Sequence, residues 1–248
     1  LGSREWNFPA TTPFGLNADL LNSANFFRML AFGGNVTYNF QPTVVSKHSI
    51  TPVKLTFNVL QSTTDTFKTI MENNRALAQS MEDQFIPAMS YTYTYDDLQL
   101  RRRRNRFWWQ STITSAGNIT SAVGSIFGKG FDKEKTLLGS KMAQFIKLTS
   151  EVRYTWNIDK NQSIATRLMG GIAYAYGANK MVPYTEQFFI GGANSIRAFT
   201  VRTIGPGSYV PETVTRYTYL DRTGDIKMEA NVEYRFRIIK DLQGAVFL

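Results

Sequence analysis

The sequence predicts an all-β fold, a transmembrane antiparallel β-barrel, and three observations carry that expectation. Apolar and polar residues alternate with period two over most of the chain from Ser46 onward. Several alternating runs exceed the ~5–6 residues usual for strands of globular sheets. The polar positions are often charged, as inward positions around a watery lumen can be. Alternation alone leaves a soluble β-sandwich open, and that is the commoner class. Strand length and an aromatic content of 14% favour the barrel, whose interfaces carry aromatic girdles.

The elements follow in order from the pattern. Strands are expected near Glu5–Ala10, Phe14–Leu21, Phe27–Gln41, Ile50–Gln61, Gln84–Leu100, Arg104–Asn118, Lys141–Ile158, Ser163–Gly177, Asp225–Lys240 and Gln243–Leu248. The clearest is the ninth. Ile226, Met228, Ala230, Val232, Tyr234, Phe236 and Ile238 share one face, and Lys227, Glu229, Asn231, Glu233, Arg235 and Arg237 the other. Val232, Tyr234 and Phe236 are expected to face lipid, and Glu229, Glu233 and Arg235 the lumen. The Tyr91-Tyr93-Tyr95 ladder, Trp156, and Trp108 with Trp109 suit a membrane interface. Short connections (Gln41–Ser49, Asp97–Arg104, Asn157–Gln162) alternate with long ones (Ser62–Asp83, Ile119–Ser140, Ala178–Gly224), so the two kinds belong at opposite ends. Phe67, Ile70, Met71, Leu77 and Met81 have helical spacing and predict a helix in the first long connection.

Composition excludes several functions. The 248 residues suffice for one large domain or two ordinary ones. A hydrophobic content of 43% rules out a disordered polymer. Mean hydropathy is −0.24, and no run approaches the ~18 apolar residues of a membrane helix. Cysteine is absent, which removes disulfides, thiolate metal sites and thiol nucleophiles. His48 is the one histidine and lies in a polar stretch, Val45–Ser49, with no Asp, Cys or second His nearby. Asp96-Asp97 and Asp221/Asp225 lack EF-hand spacing. No enzymatic activity, cofactor or metal is expected. The net charge of +9 suggests nucleic acid or an anionic surface. Its densest block, Arg101–Arg104 with Arg106, falls in a short connection between strands and on no reading helix. Nucleic acid is therefore not an expected partner. Anionic lipid headgroups, a periplasmic partner and plain solvation all fit that block. Leu1 is not a start methionine, and GAVFL at the end reads as a strand cut in mid-run, so the chain is expected to be a piece of a longer protein.

The most distinctive stretch is Glu186–Ser208, EQFFIGGANSIRAFTVRTIGPGS. It is not a P-loop, since no Gly-Lys-Ser/Thr follows, and no βαβ unit makes it a dinucleotide fingerprint. A plain Gly-rich surface loop is one reading. The run GGANSIRAFTVRTIGPG, however, resembles the conserved inward-folded loop of the BamA/TamA outer-membrane assembly barrels, the bacterial surface antigen type. Ile196-Arg197-Ala198-Phe199 matches their Val-Arg-Gly-Phe/Tyr motif, with Ile for Val and Ala for Gly, after the Gly191-Gly192 pair. GDIKMEANVEYRFRI resembles the strand after that loop, and QGAVFL the start of the next. ITPVKLTFNVLQST, DQFIPAMSYTYTYDD and WWQSTITSAGNIT resemble the TamA-like branch that is often a lipoprotein.

The resemblance implies a barrel of about sixteen strands, of which residues 1–248 form one partial barrel domain of about ten. POTRA repeats and terminal strands would lie outside it. The loop would fold into the lumen, with Arg197 paired to Glu233 on the wall or to an Asp expected just beyond Leu248. Outer-membrane location in a Gram-negative bacterium, unfolded outer-membrane client proteins, the lipid bilayer and a periplasmic TamB-like partner are also implied. The implied activity is insertion or export of client proteins or envelope material. The alternative is a passive porin or substrate-specific diffusion channel, to which a charged lumen is equally suited.

Overall fold

The computed structural model describes residues 9–23, 26–73, 75–98, 100, 104–126, 136–137, 140–177, 181–205, 207, 222–240 and 242–247. Its elements are β1 (Phe14–Ser23), β2 (Phe27–Thr43), β3 (Ser46–Thr63), α1 (Asp65–Asn73), α2 (Arg75–Ser80), β4 (Gln84–Asp96), β5 (Arg106–Ala116), α3 (Asn118–Ile126), β6 (Thr136–Leu137), β7 (Ser140–Met142), β8 (Phe145–Asn157), β9 (Gln162–Ala175), β10 (Ile226–Ile239) and β11 (Leu242–Phe247). One sheet runs in the order β1-β2-β3-β4-β5-β8-β9-β10-β11, every neighbour antiparallel, with the short β6–β7 pair against β4. Nine of the expected segments are strands. The first, Glu5–Ala10, lies outside the described residues except for Pro9 and Ala10, which are not strand. The strands β2 to β5 and β8 to β10 have 11 to 18 residues. That is enough to cross a hydrocarbon core when tilted, which takes ~9–11. No helix among the described residues is long and apolar enough to cross a membrane.

Along β10 burial runs opposite to that of a protein folded in water. On β10, Lys227 and Glu229 are buried at 9% and 6% exposure, whereas Ile226 and Met228 are 68% and 78% exposed. Leu168, Ile172 and Tyr174 on β9 and Ile146, Leu148 and Trp156 on β8 are likewise exposed. A continuous apolar face of this size is stable only against lipid or a partner. The fold is therefore a partial transmembrane barrel with a charged inner face, and the β-sandwich is excluded.

Strict alternation means that consecutive residues cannot both face lipid. Trp109 is 37% exposed on the outer face. Trp108 points inward, beneath the Arg153 guanidinium at 4.7 Å. Of the two tryptophans expected at the interface, Trp108 is thus turned away from lipid and Trp109 alone lies on the outer face. His48 also differs from its expected polar turn, because β3 begins at Ser46. Its ring stacks on Phe40 at 4.7 Å, and its Nδ1 hydrogen-bonds the Tyr91 hydroxyl at 2.7 Å. It is one member of an aromatic belt with Tyr93 and, next along, Trp109.

The long connections after β3, β5 and β9 emerge at one end of the sheet, and the turns after β2, β4 and β8 at the other. At the first end α1 and α2 carry the expected helical stripe: Phe67 and Met81 are fully buried. Helix α3 (Asn118–Ile126) forms at the start of the second long connection, where the pattern predicts no helix. Arg101–Arg103 of the basic block lie outside the described residues.

Candidate functional site: the inward loop and its wall

Residues 181–205 of the connection between β9 and β10 descend along the charged face of the sheet. They open with Val182, Pro183 and a single 3-10 turn, Tyr184–Glu186. Val182 and Phe188 close an apolar cluster with Ile86, Ala88, Ala116, Phe145 and Ala173 of the wall. Tyr184 closes another with Phe27, Met29, Phe67 and Met81. So residues 184–188 touch both β2 and β9. Those strands are five spacings apart, about 24 Å in a flat sheet, and the loop with its side chains bridges them on the charged face, the concave side of a barrel wall.

Phe188 lies over Gly171 of β9. A Cβ at Gly171 would stand 2.5 Å from the Phe188 ring, and the Lys147 ammonium covers that ring at 4.9 Å. Gly171 therefore provides the floor of the loop's docking place. Gly171→Val is expected to displace Phe188 and raise the mobility of a spin label on a cysteine placed at Ala198, read in a chain that has no native cysteine; unchanged mobility is the opposing outcome. That outcome would remove Gly171 from the docking site.

Polar anchors hold the loop at two levels. At the upper one, the Glu186 carboxylate accepts from Lys54 of β3 at 3.3 Å and from Lys147 of β8 at 3.1 Å. Lys147 also donates to the Glu186 carbonyl at 2.7 Å, and Asn58 donates to the Thr185 hydroxyl at 2.6 Å. Burial alone would raise the Glu186 carboxyl, but the two ammoniums outweigh it and hold the group below the usual carboxylate range. At the lower level, Arg167 of β9 bridges two glutamates. It reaches Glu151 of β8 at 2.7 Å and Glu229 of β10 at 2.6 Å. Register explains why: Glu151, Met169 and Glu229 form one row across three strands, and Arg167 is the next inward residue on the middle strand. The loop joins this network. Ser195 donates to Glu229 at 2.6 Å, and Arg167 donates to the Asn194 carbonyl at 2.8 Å. Lys227 completes it at 3.1 Å from Glu229.

The loop tip is a tight hairpin. Gly192 N–H donates to the Phe199 carbonyl and Arg202 N–H to the Ile190 carbonyl, both at 2.9 Å. Gly191 has φ +100° and faces the Thr200 carbonyl so closely that no Cβ fits. The hairpin base is held by Arg202, a non-glycine residue with positive φ. Its guanidinium bonds the Tyr184 hydroxyl and lies between the Tyr184 and Phe189 rings, at 4.6 and 4.7 Å.

Of the residues singled out in the sequence, Gly191 and Gly192 form the neck of the hairpin. Ile196, Arg197, Ala198 and Phe199 occupy its tip, and all four are exposed toward the lumen. The Arg197 guanidinium lies 5.0 Å over the ring of Phe247, the residue of β11 in register with Glu233. Glu233 accepts from Arg235 at 3.1 Å and lies within Coulombic range of Arg197. Among the described residues no hydrogen bond joins Arg197 to Glu233. Pro206 and residues 208–221 lie outside the described residues.

Sequence reading missed the anchors Tyr184, Glu186, Ser195 and Arg202. On the wall it placed Lys227 and Glu229 on the correct face but did not see Arg167 between the glutamates. The parity of β8 and β9 was the one signal that pointed to it.

Comparison with known proteins accords with this architecture. A family model described as the Omp85 superfamily domain matches residues 4–248. A stretch of 82 residues is 33% identical to outer membrane protein assembly factor BamA of Neisseria meningitidis serogroup B (strain ATCC BAA-335 / MC58). That stretch is 32% of this chain and spans 10% of the relative's length.

Proposed function

The chain belongs to the Omp85 superfamily, of outer-membrane assembly and translocation proteins, and on that premise we propose that it is the lumen-loop half of a barrel that inserts or exports client proteins at the outer membrane of a Gram-negative bacterium. The activity is non-enzymatic. The clients are unfolded outer-membrane proteins, and strand edges of the complete barrel template them through main-chain hydrogen bonds. Residues 1–248 are one part of a barrel of about sixteen strands, with POTRA repeats and the remaining strands belonging to the rest of the protein. A TamB-like periplasmic partner fits the turn end, which faces the periplasm in this reading.

The observation that supports this reading is the loop itself. Residues 181–205 lie across the concave face and are anchored at Glu186 and Ser195, which obstructs the free path a passive diffusion channel needs. The test is folding of an unfolded client barrel into vesicles that hold the full-length protein. Acceleration of client folding over empty vesicles is expected. Steady solute conductance with no effect on client folding would favour the channel.

Within this reading Arg197 and Glu233 act as a lock between hairpin tip and wall, with Phe247 as the ring on which the guanidinium rests. Arg197→Ala is expected to lower client assembly, and Arg197→Lys to restore it only in part, because an ammonium lacks the planar fork. A double-mutant cycle between positions 197 and 233 should show coupling. Strict additivity would defeat the lock while leaving the anchors at Glu186 and Ser195 in place.

A further inference from the structure

At the turn end of the barrel a second feature stands apart from the loop. A cavity of about 490 Å³ opens on the inner face where the β8–β9 turn rises beside β5 and β10. Four cationic side chains line it from three elements: Arg106 of β5, Lys160 of the turn, and Arg235 and Arg237 of β10. The inner-face positions of β10 bring Arg235 and Arg237 together, and antiparallel pairing brings the turn beside them, since Arg237 N–H donates to the Asn161 carbonyl at 2.9 Å.

The charge of this cavity is not balanced from within. Asp159 supplies the one carboxylate among its described lining residues. It is already engaged in shaping the turn, accepting from the Asn161 and Gln162 N–H groups at 2.6 and 2.8 Å. Arg235 has Glu233 at 3.1 Å. Among the described residues no carboxylate lies within ion-pair distance of Arg106, Lys160 or Arg237. Like charges converging on one concave place repel each other and raise the local potential, which a bound anion relieves. The remaining wall offers amide and hydroxyl groups, including Asn161 and Ser163, in place of apolar surface.

We infer that this cavity binds a phosphate group, carried either by an anionic glycerophospholipid headgroup or by free phosphate. Three guanidiniums and an ammonium around a single compact cavity match a group with several equivalent oxygens, each able to take a forked pair of hydrogen bonds. An acidic peptide is the competing ligand, since a cavity of about 490 Å³ could admit more than one carboxylate, and the test includes it. The site is separate from the loop anchors at Glu186 and Ser195, but Arg235 shares Glu233 with the proposed Arg197 lock, so the variants are placed at Arg106, Lys160 and Arg237.

The test uses full-length protein in a non-ionic detergent, with dihexanoyl phosphatidylglycerol counted by native mass spectrometry. The wild type is expected to retain one lipid, and the Arg106→Gln/Arg237→Gln double variant to lose at least tenfold in affinity. The Arg106→Lys/Arg237→Lys pair should keep part of it, and Lys160→Gln, in an exposed turn, should weaken binding with no effect on folding. Unaltered heat-shifted gel mobility serves as the folding control. Displacement by millimolar inorganic phosphate would show that the site reads free phosphate, and resistance to it would show that the headgroup is the ligand. Equal lipid occupancy in wild type and the double glutamine variant would overturn the inference. So would equal or stronger binding of a glutamate-rich hexapeptide.

Discussion

Glu186→Ala is expected to release the loop's upper anchor and lower the barrel's resistance to unfolding by up to about 3–5 kcal/mol, the range for removing one member of a buried pair. The lower part of that range is the sounder expectation, since the Glu186 side chain keeps 16% exposure and Lys54 keeps 38%. The loss is large because the variant leaves two ammoniums, Lys54 and Lys147, pointing into the same space without a carboxylate. Lys147 would keep its bond to the backbone carbonyl at position 186 only if the loop stayed docked. Glu186→Gln keeps the shape and removes the charge, so it should fall between alanine and wild type. Denaturant unfolding in lipid vesicles, read by heat-shifted gel mobility, measures the loss.

Acid provides an independent check on the same anchor. The folded-state carboxyl of Glu186 is held below its ordinary value, so the unfolded chain binds the proton more readily. Its stabilising contribution is complete above the usual carboxylate value of about 4.3 and fades as pH falls through the lower folded-state value. Wild type should therefore lose stability relative to Glu186→Gln below about pH 4, and the gap should be constant at neutral pH. A gap that widens on acidification would mean that Glu186 is not charged when docked.

What the sequence made legible was local, and what it hid was long-range. Period two is a property of a single strand, so the faces of β10 and the length of β9 could be read directly, whereas the expected strand Lys141–Ile158 is split at Ala143-Gln144 into β7, which pairs with β4, and β8. Which face meets lipid followed from charge: Lys227 and Glu229 cannot face hydrocarbon. The Trp108–Trp109 pair exposes the limit of reading by residue type, because alternation sends one of the two inward to Arg153 whatever its chemistry. His48 was misplaced because strand β3 continues through a polar stretch, where an aromatic ladder from Phe40 to Tyr93 supplies the cohesion. The loop's glycines marked a bend, and Gly191 and Gly192 do form its neck. Its landing points were not legible, since Glu186 meets residues 132 and 39 positions away in sequence. Such contacts depend on register and sheet curvature together.

The lower anchor gives the other large effect. Arg167→Ala is expected to destabilise the barrel by about 3–5 kcal/mol, reduced in proportion as water reaches the lumen, and to undock the hairpin tip. Arg167 is 22% exposed, but it faces Glu229, whose side chain is 2% exposed, and Glu151 at 15%. Without the guanidinium, the two carboxylates of one strand row would keep only Arg153 and Lys227 as cationic partners, at their far sides. The loop loses at the same time, because Arg167 also donates to the Asn194 carbonyl, next to the Ser195 bond on Glu229. Arg167→Lys should recover little, since a single ammonium cannot present separate N–H groups to both glutamates and to the carbonyl. Ser195→Ala severs the loop's side-chain bond to Glu229 and leaves the wall network intact, so it should raise the mobility of a spin label at Ala198→Cys with little change in global stability. Arg167→Met combined with Glu229→Gln should destabilise by less than the sum of the single changes, because the second substitution removes the carboxylate that the first strands. The assignment fails if Arg167→Ala changes neither unfolding nor spin-label mobility at position 198. In that case the network would be a solvated lumen feature, and the hairpin would be held by Tyr184, Phe188 and Glu186 alone.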